Sequence, residues 1–463
     1  MSRAASRSAD LSWVILLCVV ALGAADADSC HEVKTAYVMR QIGPVELVPD
    51  RPAADESLRV CAHPGLTCCT SKMEDSYMAA VRGETQQKMQ SYSFELQYLI
   101  AGHARAYRET FESLVSFTSN LTSSLFDSAY SALASDCRPL VSQLFGGIGR
   151  HLSGDSDSSL DGAVRRFYND LFPLVYRRLL NPGVGHTALR SFSSTTHDDC
   201  LRLTRQDVGP FGPHPRLLVS SLSRALGVGR ALSRLLRLAG EVVNATEKAT
   251  YSRECSRGLV RMQYCSHCRG LTLIRPCTGL CVNVMRGCLV GVSELAAPWG
   301  SLVVLLQRLA ATLATSSNHN SMELALLAVR NHVNDAILHA QLHGPRITAT
   351  VSRGDDGIIP SVQLWTTLSL FSFREFEGSI QRYQCEMEVE QHTCWSGQDV
   401  AESYAGRVVG STLKAQRENP EMTVRNTDLV LKGTKLRMEQ LTQVNTHTHA
   451  HFKFTFTMTH EGD

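Results

Sequence analysis

Five cysteines fall within 24 residues of this chain: Cys265, Cys268, Cys277, Cys281 and Cys288. Sulfur at that density can do three kinds of chemistry. As thiolates, Cys265-x-x-Cys268 with Cys277 and Cys281 downstream can hold a zinc ion. As a dithiol, Cys265-Ser266-His267-Cys268 can act as a redox pair. Once oxidised, the same sulfurs cross-link the chain. The first two need free thiols, so the compartment decides between them and the third. The adjacent pair Cys68-Cys69 leans toward cross-linking, because neighbouring cysteines rarely close on each other and each must reach a different distant partner.

The N-terminus indicates the compartment. Arg3 and Arg7 precede an apolar run from Leu11 to Leu22, and Ala25-Asp26-Ala27 is a small-x-small cleavage site. Residues 1–27 therefore read as a secretory signal peptide. A membrane anchor is the weaker alternative, since a run of twelve is short against the roughly 20 residues that span a bilayer. Cys18 leaves with that peptide, and of the fifteen cysteines an even number remains to meet an oxidising route. Structural disulfides follow as the favoured reading. No later stretch reads as a transmembrane helix.

The remaining signals for chemistry are thin. No nucleophile elbow, HExxH or phosphate-binding glycine loop is present, so no catalytic residue, metal ligand or cofactor is assigned. The histidines of the C-terminal THTHAHF tract could bind a metal weakly, but a biased terminal tract more often lacks structure. A net charge of +2 argues against a nucleic-acid binder driven by phosphate contacts. Arg353-Gly354-Asp355 could meet an integrin, although a chance tripeptide in a solvated loop is the stronger reading. Asn120-Leu121-Thr122 and Asn244-Ala245-Thr246 are N-glycosylation acceptors.

The elements that must position the cysteines are helical. Cys30 to Cys69 is an irregular arm, with Pro44, Pro49, Pro52 and Pro64 barring long helices. Ser71 to Asp136 has no proline. Tyr92, Leu96, Leu99, His103, Tyr107, Phe111 and Leu114 recur there at helical spacing, which predicts one or two long amphipathic helices with His103 packed rather than ligating. A polar loop from His151 to Gly162 leads to a helix over 163–180, with a kink expected at Pro173. Further helices are predicted over 216–248, as a pair over 301–344 joined near 316–320, and over 398–417. The tail from Thr446 alternates polar and apolar residues, and 436–463 is expected to be disordered.

Taken together, these motifs resemble the glypicans, the core proteins of cell-surface heparan sulfate proteoglycans. The matching residues are Cys30-His31-Glu32-Val33, Thr67-Cys68-Cys69-Thr70-Ser71-Lys72-Met73-Glu74, Leu171-Phe172-Pro173-Leu174-Val175-Tyr176, Asn181-Pro182-Gly183, Tyr264 to Leu271, Pro276-Cys277-Thr278-Gly279-Leu280-Cys281, Arg286-Gly287-Cys288 and Cys394-Trp395-Ser396-Gly397. In detail they are most similar to the third and fifth vertebrate branches, the fifth above all. The resemblance covers roughly 30–345 and 375–433.

The resemblance implies an elongated all-α core over 28–435, stapled by disulfides and without enzymatic activity. It implies the pairs Cys30–Cys68, Cys61–Cys265, Cys69–Cys268, Cys255–Cys288, Cys277–Cys394 and Cys281–Cys385. The family's partner for Cys200 is missing and Cys137 is extra, so these two either pair with each other or both stay free. The resemblance also implies binding of growth factors or morphogens of the Wnt, hedgehog or fibroblast type, covalent heparan sulfate, and a cell-surface position held by a GPI anchor. The chain departs from the pattern in having a short convertase loop without a dibasic site, no Ser-Gly-rich stalk and no hydrophobic anchor signal. Ser153-Gly154, followed by Asp155 and Asp157, is the better remaining glycosaminoglycan acceptor; Ser396-Gly397 is the other. The alternative reading is a truncated, secreted, chain-free core acting as a soluble ligand-binding module or decoy.

Overall fold

The computed structural model describes residues 29–155, 157–180, 198–199, 201–202, 205, 209–315, 321–344, 385 and 393–458, with side chains left undescribed at 314–315 and 445–458. The signal segment, Cys200 and the Arg353-Gly354-Asp355 tripeptide lie outside the described residues. Among the described residues, eleven α-helices follow in order: α1 His31–Met39, α2 Ser71–Ala129, α3 Ala134–Leu152, α4 Leu160–Val175, α5 His214–Glu247, α6 Arg253–Gln263, α7 Thr278–Ser293, α8 Ala296–Thr315, α9 Met322–Leu342, α10 Leu413–Gln416 and α11 Leu429–Met458. Among the described residues, strand is confined to two-residue β1 (Cys394–Trp395) and β2 (Val400–Ala401), which pair antiparallel.

Residues 28–435, expected as one core, contribute to two compact units. The first is Met1–Ser93, Thr246–Ala296 and Phe373–Gly433; the second is Phe94–Ala245, Ala297–Ser372 and Thr434–Asp463. The division falls inside α2, a proline-free helix of 59 residues. In the first unit α2 buries Met73, Tyr77 and Val81, one turn apart. In the second it buries Leu96, Ile100, Tyr107 and Phe111. The expected stripe is therefore shifted slightly: Leu99 is 39% exposed, His103 is only half-buried, and Ser93 and Ile100 face inward.

The second unit is a helical core. Its α3 and α4 pack closely because Gly147 offers no side chain; a Cβ there would stand 2.7 Å from that of Ala163. The Ser159 hydroxyl caps α4 by accepting the Gly162 amide at 3.1 Å. Pro173 lies within α4, and immediately beyond that helix Tyr176–Leu180 continues as a π turn. A proline removes one donor from the helical ladder, and a wider turn is one way the backbone absorbs that loss. Tyr168 and Phe172 are fully buried against Phe211, at ring distances of 5.1 and 6.1 Å.

Three expectations are corrected. Residues 398–417, read as a helix, form β2, an irregular run and the four-residue α10. The tail expected to be disordered from 436 continues α11 to Met458. Leu431, Met438 and Thr442, which precede the alternating tract, are buried along it at helical spacing. Finally, Ala296–Leu313 is long and apolar enough, by length and composition, to cross a membrane. Leu302, Leu305, Leu306 and Leu309 are nonetheless buried within the protein.

Candidate functional site: the cross-linked cysteine cluster

The cluster is built in the first unit. Ser252 starts α6 by accepting the Cys255 amide on its hydroxyl at 3.0 Å. After Tyr264 the helix tightens into a 3₁₀ turn over Cys265–Arg269, and Gly270 at φ +75° turns the chain away. That turn faces Cys265 and Cys268 toward the N-terminal arm. Cys265 is bonded to Cys61 and Cys268 to Cys69, with Cα separations of 5.0 and 4.8 Å. The Cys68 amide and the Thr67 hydroxyl both donate to the Cys268 carbonyl, at 2.8 and 3.1 Å. Cys68 itself is bonded to Cys30 at the start of α1. Adjacent Cys68 and Cys69 thus run to different partners.

Three further bridges tie α7 to its surroundings. Cys255–Cys288 joins α6 to α7, Cys277–Cys394 joins the start of α7 to β1, and Cys281–Cys385 extends from its second turn. The sulfurs of the Cys265-x-x-Cys268 pair are therefore committed to different distant residues. They are available neither to zinc nor to each other.

Side chains to which the sequence motifs assign no role hold this arrangement. Glu74 is 4% exposed, and its carboxylate accepts the amides of Arg59, Val60 and Cys61 at 2.8, 2.8 and 2.7 Å. It fixes the backbone that presents Cys61. Tyr77 stacks on Tyr264 at 4.6 Å, with Tyr37 edge-on at 5.8 Å. The Arg40 guanidinium lies 5.3 Å over the Tyr264 ring, whose hydroxyl donates to Glu84 at 2.7 Å. His267 meets both Tyr77 and Tyr264 edge-on. Burial, and then the charge of Arg40, lower its pKa to about 4. Trp395, 2% exposed, donates its indole N–H to the Arg261 carbonyl at 2.8 Å. Asn283 on α7 is fully buried. Its amide donates to the Tyr404 hydroxyl and the Arg407 carbonyl, and its oxygen accepts the Val409 amide.

The remaining sequence-assigned residues lie elsewhere. Asn120 on α2 and Asn244 on α5 are exposed. The acceptor threonines are buried, and Thr122 donates to the Thr118 carbonyl at 2.9 Å. Ser153 is exposed just beyond α3 and donates to the Arg150 carbonyl at 2.8 Å, while the Gly154 carbonyl accepts from Arg237 at 2.9 Å. Ser396 sits in the β1–β2 turn, donating to the Asp399 carbonyl at 2.7 Å and accepting its amide at 3.1 Å. Cys137 carries a free, buried thiol among the described residues, and Cys200 lies outside them. It sits on the face of α3 that also buries Val141, Leu144 and Ile148. Burial, with Asp136 beside it, pushes that thiol's pKa up to about 12.

An all-helical protein cross-linked in this way belongs to the class of disulfide-stapled proteins of the secretory route. The glypican family matches residues 14–356 and 363–452. A human relative, glypican-5, is 34% identical over 468 residues, spanning 93% of this chain and 80% of that protein. The crystal structure of C-terminally truncated glypican-1 superposes with a TM-score of 0.64 at 23% identity, covering 90% of this chain and 97% of that one. The Dally-like protein, solved in complex with O-palmitoleoyl serine, gives a TM-score of 0.52 at 19% identity over 90% and 99%. The chain belongs to the glypican family, whose members are heparan sulfate proteoglycan core proteins.

Proposed function

We propose that the protein is the core of an extracellular or cell-surface heparan sulfate proteoglycan that binds growth factors or morphogens and regulates their signalling. The observation that carries this reading is the cross-linked cluster on a helical frame, within a family match that runs through most of the chain. Such a frame presents a rigid surface outside the cell, and appended acidic polysaccharide adds salt-sensitive attraction for basic ligands. Ser153 is the favoured attachment residue, being exposed on a loop and followed by acids. The Dally-like protein was solved with O-palmitoleoyl serine. A palmitoleoylated morphogen of the Wnt type is therefore the first ligand to test, with hedgehog and fibroblast growth factor types beside it.

A second reading, a chain-free core acting as a soluble binding module, is favoured by how both Ser-Gly pairs are used. The Ser396 hydroxyl is engaged twice within its turn. Beside Ser153, Arg237 is bonded to the Gly154 carbonyl. Expression from secreting animal cells separates the two readings. A proteoglycan migrates as a broad smear that heparinase collapses and Ser153→Ala abolishes; a sharp band near the core mass establishes the chain-free form. Ligand capture is then measured on heparinase-treated protein. No saturable binding to any of the three ligand types refutes a signalling role for the folded core.

A further inference from the structure

A cleft of about 600 Å³ opens in the first unit beside the Cys61–Cys265 bridge. Its lining is cationic. Arg59 and His63 come from the arm, Arg257 and Arg261 from α6, and Arg269 from the 3₁₀ turn, with Asp399 the single carboxylate on the wall. Arg257 and Arg261 are one helical turn apart and so share a face. Arg269 is paired with Asp399, and Arg261 lies 3.8 Å from Glu421. Among the described residues, the guanidinium groups of Arg59 and Arg257 have no acidic partner. The buried Nδ1 of His63 likewise has no hydrogen-bond partner among the described residues.

We propose that this cleft is a non-covalent binding site for a sulfated sugar unit of the glycosaminoglycan kind. Guanidinium forks match the oxygens of sulfate and carboxylate two at a time. Four of them, carried by three separate segments, surround more space than one small inorganic anion fills, and the volume is that of a small organic ligand. A nucleotide fits the cleft less well. Base recognition needs an open aromatic face, and Trp395, the aromatic residue on the wall, is 2% exposed with its indole N–H already bonded. The site can take a glycan from a neighbouring molecule whether or not this chain carries one of its own.

The test uses the whole secreted protein after heparinase treatment, so that failure of covalent attachment and failure of this site remain separate. A sulfated heparin tetrasaccharide is titrated by calorimetry, alongside its chemically desulfated counterpart and inorganic sulfate. We expect one saturable site, weakened at least tenfold by desulfation and at least tenfold by the double substitution Arg59→Ala/Arg257→Ala. Arg224→Ala, an exposed position on α5, leaves affinity unchanged. Amide exchange on the unsubstituted protein supplies a measurement that needs no variant: the tetrasaccharide slows exchange over 59–64 and 257–269. The proposal is overturned by equal binding of the desulfated sugar, by inorganic sulfate matching the tetrasaccharide, by an unaffected double variant, or by unchanged exchange in those segments.

Discussion

Consider replacing Glu74. Its carboxylate is buried, with Oε1 accepting the amides of Val60 and Cys61 and Oε2 that of Arg59. In Glu74→Ala three donors lose their acceptor. Arg59 is exposed and its amide can turn to water, whereas Cys61 is buried and Val60 half-buried. A buried donor left unpaired costs about 1–3 kcal/mol. Counting Cys61 in full and Val60 in part gives a destabilisation of about 2–4 kcal/mol. Glu74→Gln is the sharper probe. An amide oxygen at Oε1 keeps two of the three bonds, while its NH₂ faces the Arg59 amide, a donor against a donor. That loss falls on the most exposed of the three amides, so the expected cost is about 1 kcal/mol. The assay is chemical denaturation with disulfides intact, together with amide exchange at residues 59–61. Exchange there should accelerate strongly in the alanine variant and weakly in the glutamine variant. The reasoning is refuted if alanine costs under about 0.5 kcal/mol, the size of an ordinary surface change, or if glutamine costs as much as alanine.

Three other outcomes are expected. His267 binds its proton less readily when folded, so between pH 6.5 and about 4 the unfolded chain carries more protons than the native one. Stability is therefore full above that window and declines by about 3 kcal/mol as pH falls through it; His267→Phe should flatten the decline in pH-dependent denaturation curves. Removing the Cys61–Cys265 bridge by a double serine substitution frees a loop with a sequence separation of 204. By the chain-entropy argument this costs at most about 5 kcal/mol, to be read as a lower Tm and reduced secreted yield. Cys137 should resist a thiol reagent at neutral pH in the native protein and react in full once denaturant exposes it, because burial keeps it protonated.

The long helices were legible because their signal is local. The leucine-rich run over 216–248 predicts α5 within two residues of its ends, whereas the proline-free run from Ser71 to Asp136 predicts the start of α2 but leaves open whether it holds one helix or two and runs past its end at Ala129. Periodicity failed where packing overrides pattern: Leu99 points outward while Ser93 is buried, a rotation that only the neighbouring helices decide. The segment 398–417 misled for a different reason. Its backbone is held by buried Asn283 and by the β1–β2 pairing, neither of which leaves a helical or strand-like period. Which residues carry the cluster was apparent from cysteine density, but their partners are separated by up to 204 positions, and no local rule connects them. Glu74, which closes the Thr67–Glu74 motif, is the clearest case of a residue whose role the sequence hides. An acidic residue in a polar helical turn gives no sign that its carboxylate points inward to three amides. The cationic cleft escaped notice similarly, since Arg59, Arg257, Arg261 and Arg269 are scattered through a chain whose net charge is only +2.

Adjacent Cys68 and Cys69 have a consequence for biosynthesis. The partner of Cys68 precedes it by 38 positions, whereas that of Cys69 follows 199 positions later. At ribosomal speeds of about 5–20 residues per second, Cys61 and Cys69 wait on the order of 10–40 s for their partners to emerge into the lumen. Throughout that interval both are nascent-chain thiols within reach of Cys68 and of each other. Correct maturation therefore depends on an oxidoreductase that delays or reverses premature pairing, and a pulse-chase experiment should find short-range bridges early, Cys61–Cys265 and Cys69–Cys268 only after synthesis has passed residue 268, and the full native set only after it has passed residue 394.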